Sequence, residues 1–197
     1  MKGRYVTLAR LAPEDESALW AAAAEPEQWR FLPYGPFADR PAFAAWQADC
    51  RASDDPQFWA VTGEDGGPAG QLALMRWEPE HRVVEVGHIW FGPSLQRTRA
   101  ATEAIFLVAR HVFDDLGYRR LEWKCNARNE RSMRAAERFG FTYEGTFRNH
   151  MLVKGENRDT AWFSVIDGEW PERRAMFERW LDPANFDGSG HQLSPLQ

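Results

Sequence analysis

The order of apolar and polar positions along the chain predicts an alternating series of strands and helices. Two-residue alternation predicts a first strand over residues 5–11, and apolar residues at helical spacing predict an amphipathic helix over residues 100–116 that ends at Gly117. The same criteria predict further strands over 58–62, 70–77, 83–91, 120–125, 141–147 and 160–166, and further helices over 13–24, 40–51, 129–139 and 170–181. This order predicts a mixed α/β fold whose sheet is partly antiparallel.

The domain organisation follows from the distribution of these elements. All of them lie within residues 1–181, with no internal repeat and no linker between them, which predicts a single domain. Residues 182–197 are rich in Gly, Ser, Pro and Gln, and we expect them to form a loose C-terminal tail.

Composition and charge narrow the classes of protein that the chain can belong to. The 197 residues carry a formal net charge of −5, whereas a protein that binds nucleic-acid phosphates has a basic excess. The acidic excess suits a cationic acceptor such as an amine, and it is equally ordinary for a soluble protein. Cys50 and Cys125 are far apart in the sequence, which favours reduced thiols. Without a membrane-length apolar run, a signal peptide or a metal-ligand spacing, we expect a cytoplasmic protein with no membrane, nucleic-acid or metal partner.

A basic turn between the predicted strand 83–91 and the long helix is the most informative segment. It begins at Gly92 and contains Arg97 and Arg99 next to the first helical positions. The unpaired N–H groups of a first helical turn and the positive end of the helix dipole both favour an anion. The segment therefore predicts a phosphate site.

Four short motifs resemble those of the GNAT superfamily of acyl-CoA N-acyltransferases, and they are most similar to the bacterial branch that acetylates the N-termini of ribosomal proteins. Each motif alone is a weak signal, but the four occur in the family's order and spacing, and the resemblance covers roughly residues 4–180. It implies a mixed, mostly antiparallel central sheet flanked by helices. The motifs are Glu85-Val86-Gly87-His88-Ile89-Trp90, the segment Gln96–Ala101, Asn129-Glu130-Arg131-Ser132, and Glu137-Arg138-Phe139-Gly140-Phe141 followed by Glu144-Gly145.

The resemblance also implies a cosubstrate and the residues that bind it. Acetyl-CoA would be the acyl donor, and transfer to the amine would be direct, without a covalent enzyme intermediate. In the family, the central strand bulges away from the next strand and pantetheine lies in the gap, where fixed backbone donors suit an oxyanion. The implied cofactor-binding residues are Ile89, Trp90, Phe91, Gln96, Arg97, Thr98, Arg99, Ala100, Ala101, Asn129 and Ser132.

One position of the phosphate loop departs from the family pattern, because Arg99 stands where relatives have the central glycine. Glycine lets the backbone approach a pyrophosphate closely. Arginine is compatible with this role if its side chain points outward and its backbone is helical, and its charge would then assist phosphate binding. The alternative interpretation is that Arg97 and Arg99 only form a solvated surface.

The resemblance implies two catalytic residues, Ser132 and Glu85. Ser132 would support the departing CoA sulfur; alternatively, its motif only caps a helix, with Asn129 as the N-cap residue. Glu85 would act as a base through a water molecule; alternatively, it is a paired structural glutamate. His88 is a second candidate base or a packed core histidine, and His150 is expected nearby.

The acceptor is the least determined part of the prediction. The aromatic loop that contains Trp29, Phe31, Tyr34 and Phe37 either covers the acceptor pocket or packs the two N-terminal helices together. The resemblance favours an N-acetyltransferase that acts on a protein or peptide N-terminus, and it allows a homodimer. The alternatives are acetylation of a small amine, such as an amino acid, a polyamine or an antibiotic, and a catalytically weak acyl-CoA-binding module.

Overall fold

The computed structural model of the protein describes residues 1–64 and 66–196. Within them, seven strands form one sheet in the order β1-β2-β3-β4-β5-β7-β6, and β4 and β5 are its parallel neighbours. The mixed, mostly antiparallel sheet predicted from the sequence is thereby confirmed. The strands are β1 (Thr7–Arg10), β2 (Gln57–Thr62), β3 (Pro68–Glu78), β4 (Val83–Phe91), β5 (Arg120–Asn126), β6 (Thr142–Val153) and β7 (Glu156–Ile166).

The helices cover the sheet through two main apolar clusters. They are α1 (Glu16–Ala22), α2 (Arg40–Ala52), α3 (Arg99–Arg110), α4 (Glu130–Arg138) and α5 (Trp170–Trp180). The larger cluster packs α3 and α5 against the central strands, with Ile105, Leu121 and Phe163 completely buried. The second cluster joins α1, α2 and the aromatic loop to Trp90 of β4. The second cluster therefore connects the aromatic loop to the central strand.

Helix α3 begins within one residue of its predicted start and ends earlier than predicted, at Arg110. Thr98 is the N-cap residue, and its side chain accepts a hydrogen bond from the Ala101 N–H at 3.2 Å. The predicted helix over 100–116 is divided into α3 and one wide π turn over His111–Asp115. Gly117 follows in the left-handed region, with φ +64°, which glycine adopts without steric cost.

The C-terminal segment differs from the loose tail expected from its composition. Pro183–Asn185 form a short 3₁₀ turn capped by the Asp182 side chain. The Phe186 ring packs edge-on against Trp180 with ring centroids 5.0 Å apart, and Leu196 belongs to the main core with 7% of its surface exposed. A few well-placed apolar residues hold this segment against the domain in spite of its polar composition.

The β6–β7 hairpin extends beyond its predicted strands, which ended at residue 147 and began at residue 160. The added residues, 148–153 and 156–159, are mostly polar and exposed, so they lack the alternation that identifies a half-buried strand. Among the described residues, no helix combines the length and apolar character that crossing a membrane requires. In the same ranges, no group of three or more His, Cys, Asp or Glu side chains could hold a metal ion.

Candidate active site

Strands β4 and β5 pair at one end and separate at the other. Their parallel pairing covers only Val83–Glu85 against Arg120–Glu122. Residues 86–91 therefore have no partner on β5, although both strands continue past this point. Because buried backbone N–H and C=O groups require partners, this separation leaves a gap suited to a ligand that offers amide-like donors and acceptors.

A β-bulge in β4 lies at the same level as this gap. Gln71 pairs with Trp90 and Ala73 with Gly87, so three steps along β4 face two along β3. His88 is the residue in the bulge with left-handed backbone geometry, at φ +50°. Of the predicted gap residues, Ile89 and Phe91 are half-buried and Trp90 is buried. The bulge thus changes the direction of the strand where the sequence motif predicts pantetheine binding.

The turn before α3 presents free backbone donors. The N–H groups of Arg97, Arg99 and Ala100 make no hydrogen bond within the described residues. The side-chain amide of the exposed Gln96 donates to the Phe91 carbonyl oxygen at 2.8 Å and ties the turn to the end of β4. A cavity of about 110 Å³ lies against this turn and is lined by Thr98 and Ala100 among others. The N-terminus of α3 is therefore a suitable anion site next to the gap.

The side chain of Arg99 is engaged away from these donors. Its guanidinium forms two hydrogen bonds to Glu64, at 2.8 and 2.6 Å, and lies 4.3 Å from the centre of the Tyr5 ring. Its backbone is helical, so this position does not need the conformational freedom of glycine. The left-handed residue of the turn is Arg97, at φ +63°, whose side chain is exposed and makes no hydrogen bond within the described residues.

Asn129 and Ser132 lie at the start of α4. The Asn129 side chain accepts from the Ser132 N–H at 3.2 Å, which makes it the N-cap residue. The Ser132 hydroxyl oxygen accepts from the Trp123 indole at 3.0 Å, and its proton remains available for another acceptor. Burial raises the pKa of the neighbouring Cys125 thiol, with Ser132 opposing the change. Asn129 therefore caps α4, and the Ser132 hydroxyl takes no part in the cap and lies beside the Cys125 thiol.

Glu85 is buried among cations. Its carboxylate lies 3.1 Å from both Arg76 and Lys124, and Lys124 also contacts Glu122 at 2.7 Å. Burial raises the pKa of Glu85, while the positive charges of Lys124 and Arg76 oppose that change. The Lys124 ammonium also lies 3.9 Å from the centre of the Trp162 ring. A carboxyl group in these surroundings can be ionised and still accept a proton more readily than an exposed one.

His88 contacts the aromatic loop and has no ion-pair partner within the described residues. Its Nδ1 lies 2.9 Å from the Tyr34 hydroxyl, and the two rings stack at 5.5 Å. Burial lowers the pKa of His88 to about 4, so the ring is neutral at pH 7. Burial also raises the pKa of Tyr34 well above its usual value, so its hydroxyl keeps its proton. The aromatic loop thus reaches the bulge and packs α1 against α2, as the second interpretation of its sequence expected.

The β6–β7 hairpin bounds the gap from the other side. Lys154, near its tip, donates to the Trp29 carbonyl oxygen at 2.8 Å and joins the hairpin to the aromatic loop. His150 hydrogen-bonds Thr160 at 2.9 Å and is no part of the Glu85 cluster. Arg76 and Lys124 were not among the predicted site residues, although the alternation in β5 places Lys124 on the polar face of that strand. Arg158 of β7 was not among them either, and the sequence carries no comparable signal for it.

The separated parallel strands, the bulge and the free helix N-terminus together define an acyl-CoA N-acyltransferase fold. A family model described as an acetyltransferase (GNAT) domain matches residues 6–142. The chain belongs to the GNAT family of acetyltransferases, and it is therefore an acyltransferase.

Three comparisons describe its relatives. The crystal structure of a GCN5-related N-acetyltransferase from Brucella melitensis is 48% identical, covers 100% of this chain and 91% of its own, and superposes with a TM-score of 0.98. A Bacillus subtilis protein named "Putative ribosomal N-acetyltransferase YdaF" is 25% identical over 84% of this chain and 93% of its own. The spermidine N-acetyltransferase of Vibrio cholerae, solved with CoA and spermine, shares the fold at 16% identity and a TM-score of 0.69, over 85% and 98% of the two chains.

Proposed function

We propose that the protein transfers the acetyl group of acetyl-CoA directly to a primary amine. The observation that carries the proposal is the separation of β4 from β5 beside the free N–H groups at the start of α3. A pantetheine arm needs an extended slot with backbone partners, and a pyrophosphate needs an electropositive helix N-terminus. The two features are adjacent, because Gln96 ties the turn before α3 to the last residue of β4.

Each step of direct transfer can be assigned to a group of this chain. The backbone around Ile89, Trp90 and Phe91 would hold pantetheine and stabilise the oxyanion, since donors fixed before the reaction need no reorganisation. The free N–H groups of Arg97, Arg99 and Ala100 would hold the pyrophosphate. The Ser132 hydroxyl would donate a hydrogen bond to the departing sulfur, and Asn129 would position the start of α4.

Glu85 is the proposed base. A carboxyl group must be ionised before it can accept a proton. Arg76 and Lys124 favour the ionised form of Glu85, while burial raises its pKa and makes it more basic. His88 is the weaker candidate, because its Nδ1 is engaged by Tyr34 and its pKa of about 4 makes it a poor base.

The finer proposal is that the acceptor is the α-amine of a protein or peptide. It is supported by the name of the Bacillus subtilis relative. It is also supported by the pKa of an α-amine, about 7.7–8.0 against about 10.4 for lysine, because the α-amine is more easily made neutral for attack. The second candidate is a small amine, for which the spermidine acetyltransferase offers a precedent within the fold. A catalytically weak acyl-CoA-binding module is the alternative from another class.

Release of free CoA thiol from acetyl-CoA tests this function. A panel of a free-N-terminus peptide, an N-terminally blocked lysine peptide, alanine and spermidine would be assayed, with confirmation of the acetylated product by mass spectrometry. We expect amine-dependent thiol release. Acetyl-CoA binding without thiol release for any amine would support the binding module and refute the transferase.

A further inference from the structure

Charged side chains from five strands, β3 to β7, form a cluster on the polar side of the sheet, beside the gap. Among its acids, Glu85 is buried, Glu122 is half-buried and Glu144 is exposed, and each has a cation within hydrogen-bond distance. Within the described residues the cluster holds four cations and three carboxylates, namely Arg76, Arg120, Lys124 and Arg158 against Glu85, Glu122 and Glu144.

Arg158 is the member without a partner. Arg76 and Lys124 contact Glu85, and Arg120 contacts Glu122 and Glu144, so those charges balance locally. The Arg158 side chain makes no hydrogen bond or ion pair within the described residues, and its Nε is buried without an acceptor. Burial lowers the pKa of Arg158, with nearby Glu85 opposing the change and Arg76 reinforcing it. Arginine nevertheless stays protonated in proteins, so an uncompensated positive charge remains in the cleft.

A second unsatisfied donor lies on the same side of β7. Positions 158, 160 and 162 alternate onto one face of the strand, and the Trp162 indole N–H is also buried without an acceptor. A buried polar group without a partner is unfavourable, and a buried charge is more so, and therefore an acceptor brought by a ligand would be stabilised at these two donors. Both unsatisfied groups are donors, so that ligand must carry oxygen acceptors and, opposite a guanidinium, a negative charge.

We propose that Arg158 determines acceptor specificity by binding a carboxylate of the acceptor, so that the preferred substrate is an amine that also carries a carboxylate. The inference rests on the proposed acetyl transfer. At Arg158 the acceptor must carry a negative charge, whereas the net charge of −5 over the whole chain suggested a purely cationic acceptor. A polyamine would place a second positive charge against Arg158 and is therefore disfavoured. The carboxylate could belong to a free amino acid or to an acidic side chain close to a peptide N-terminus.

Two matched pairs of acceptors distinguish the carboxylate of a free amino acid from that of an acidic side chain in a peptide. Alanine is compared with alaninamide, and a peptide that begins Ala-Asp is compared with one that begins Ala-Asn. For the wild-type protein we expect kcat/KM to favour the carboxylate member of at least one pair by roughly 10- to 100-fold, the range expected for a hydrogen bond between charged groups. Spermidine should be a worse acceptor than the preferred member.

The variant Arg158→Gln should abolish this preference through a higher KM for the carboxylate acceptor. Its KM for acetyl-CoA should stay unchanged. Its rates with the two amides should fall far less than its rates with the carboxylate acceptors, although the loss of a charge near Glu85 affects all acceptors. Arg158→Lys should keep part of the preference because it keeps the charge. Arg148→Gln, on the exposed part of β6, is the matched control and should retain the wild-type preference. Unchanged preference in Arg158→Gln, or equal kcat/KM for both members of both pairs, would overturn the assignment.

A binding measurement keeps this test separate from the proposed function. Calorimetric titration of the CoA-saturated protein with the four acceptors detects the carboxylate contact without any chemistry. If acetyl transfer fails for every amine, the transferase is refuted. If the carboxylate members bind no more tightly than the amides, the role of Arg158 is refuted, whether or not transfer occurs.

Discussion

Acidification should destabilise the protein through His88 in particular. Burial lowers the pKa of His88 from 6.5 to about 4, because the folded site holds the ring between Tyr34 and Phe58 in its neutral form. A histidine whose pKa is lower in the folded than in the unfolded state stabilises the fold fully only at pH values above its unfolded pKa. That stability is lost as the pH falls from 6.5 towards 4.

The size of the effect follows from the same shift. A shift of about 2.5 units corresponds to about 3.4 kcal/mol between the protonation states, and linkage gives a loss of about 2 kcal/mol between pH 8 and pH 5. Carboxylates with lowered pKa values, such as Glu144, also lose stability in acid, so the wild-type slope alone does not isolate the histidine.

The variant His88→Asn provides the comparison. Asparagine tolerates the left-handed backbone at φ +50° and does not titrate in this range. Urea unfolding of both proteins should be measured at several pH values from 8 to 5. We expect the wild type to lose about 2 kcal/mol more than His88→Asn over this range. Parallel pH profiles for the two proteins would show that His88 is not held neutral, and the reasoning on its burial would be wrong.

Four further predictions follow from the site. Ser132→Ala should lower kcat while leaving the KM for acetyl-CoA nearly unchanged, because a hydrogen bond to the departing sulfur acts mainly in the transition state. If the variant keeps the full kcat in steady-state assays, Ser132 has only a structural role. Glu85→Gln should lower kcat by about 10²- to 10⁴-fold, and the acid limb of the pH–rate profile should disappear; an unaltered profile would exclude Glu85 as the base. Arg99→Ala should retain acetyl-CoA affinity, because that guanidinium is held by Glu64. Arg99→Pro should weaken it by roughly tenfold or more, because proline fits the first helical position after the extended Thr98 but removes one N–H donor. Equal affinities of these two variants in calorimetry would contradict the anion site. Acetyl-CoA at about 100 times its Kd should add roughly 2.7 kcal/mol to the free energy of unfolding, and no shift of Tm at millimolar acetyl-CoA would contradict binding.

The elements that the sequence predicts well are those with strong local signals. Helix α3 has a continuous apolar face, and Gly117 closes the π turn that follows it, so the periodicity and the end of the helical segment are encoded within about twenty residues. Strand β4 is rich in β-branched and aromatic residues, and its observed bounds coincide with the prediction. Asn129 was recognisable as an N-cap residue because capping is also local.

The features that escaped prediction depend on contacts between distant residues. The Arg99–Glu64 pair joins residues 35 positions apart, and the cluster around Glu85 draws its cations from different strands. The bulge at His88 places a non-glycine residue in left-handed geometry, which no local signal requires. The ordered C-terminal segment depends on Phe186 and Leu196, two apolar residues in a polar stretch that composition alone assigns to a loose tail.

A crystal structure of the complex with CoA is the measurement that tests the central claim most directly. We expect pantetheine between residues 86–91 of β4 and the free edge of β5, and the sulfur within hydrogen-bond distance of the Ser132 hydroxyl. The pyrophosphate should lie against the free N–H groups of Arg97, Arg99 and Ala100. CoA bound at any other surface, or a gap closed by continued pairing of β4 with β5, would contradict the account.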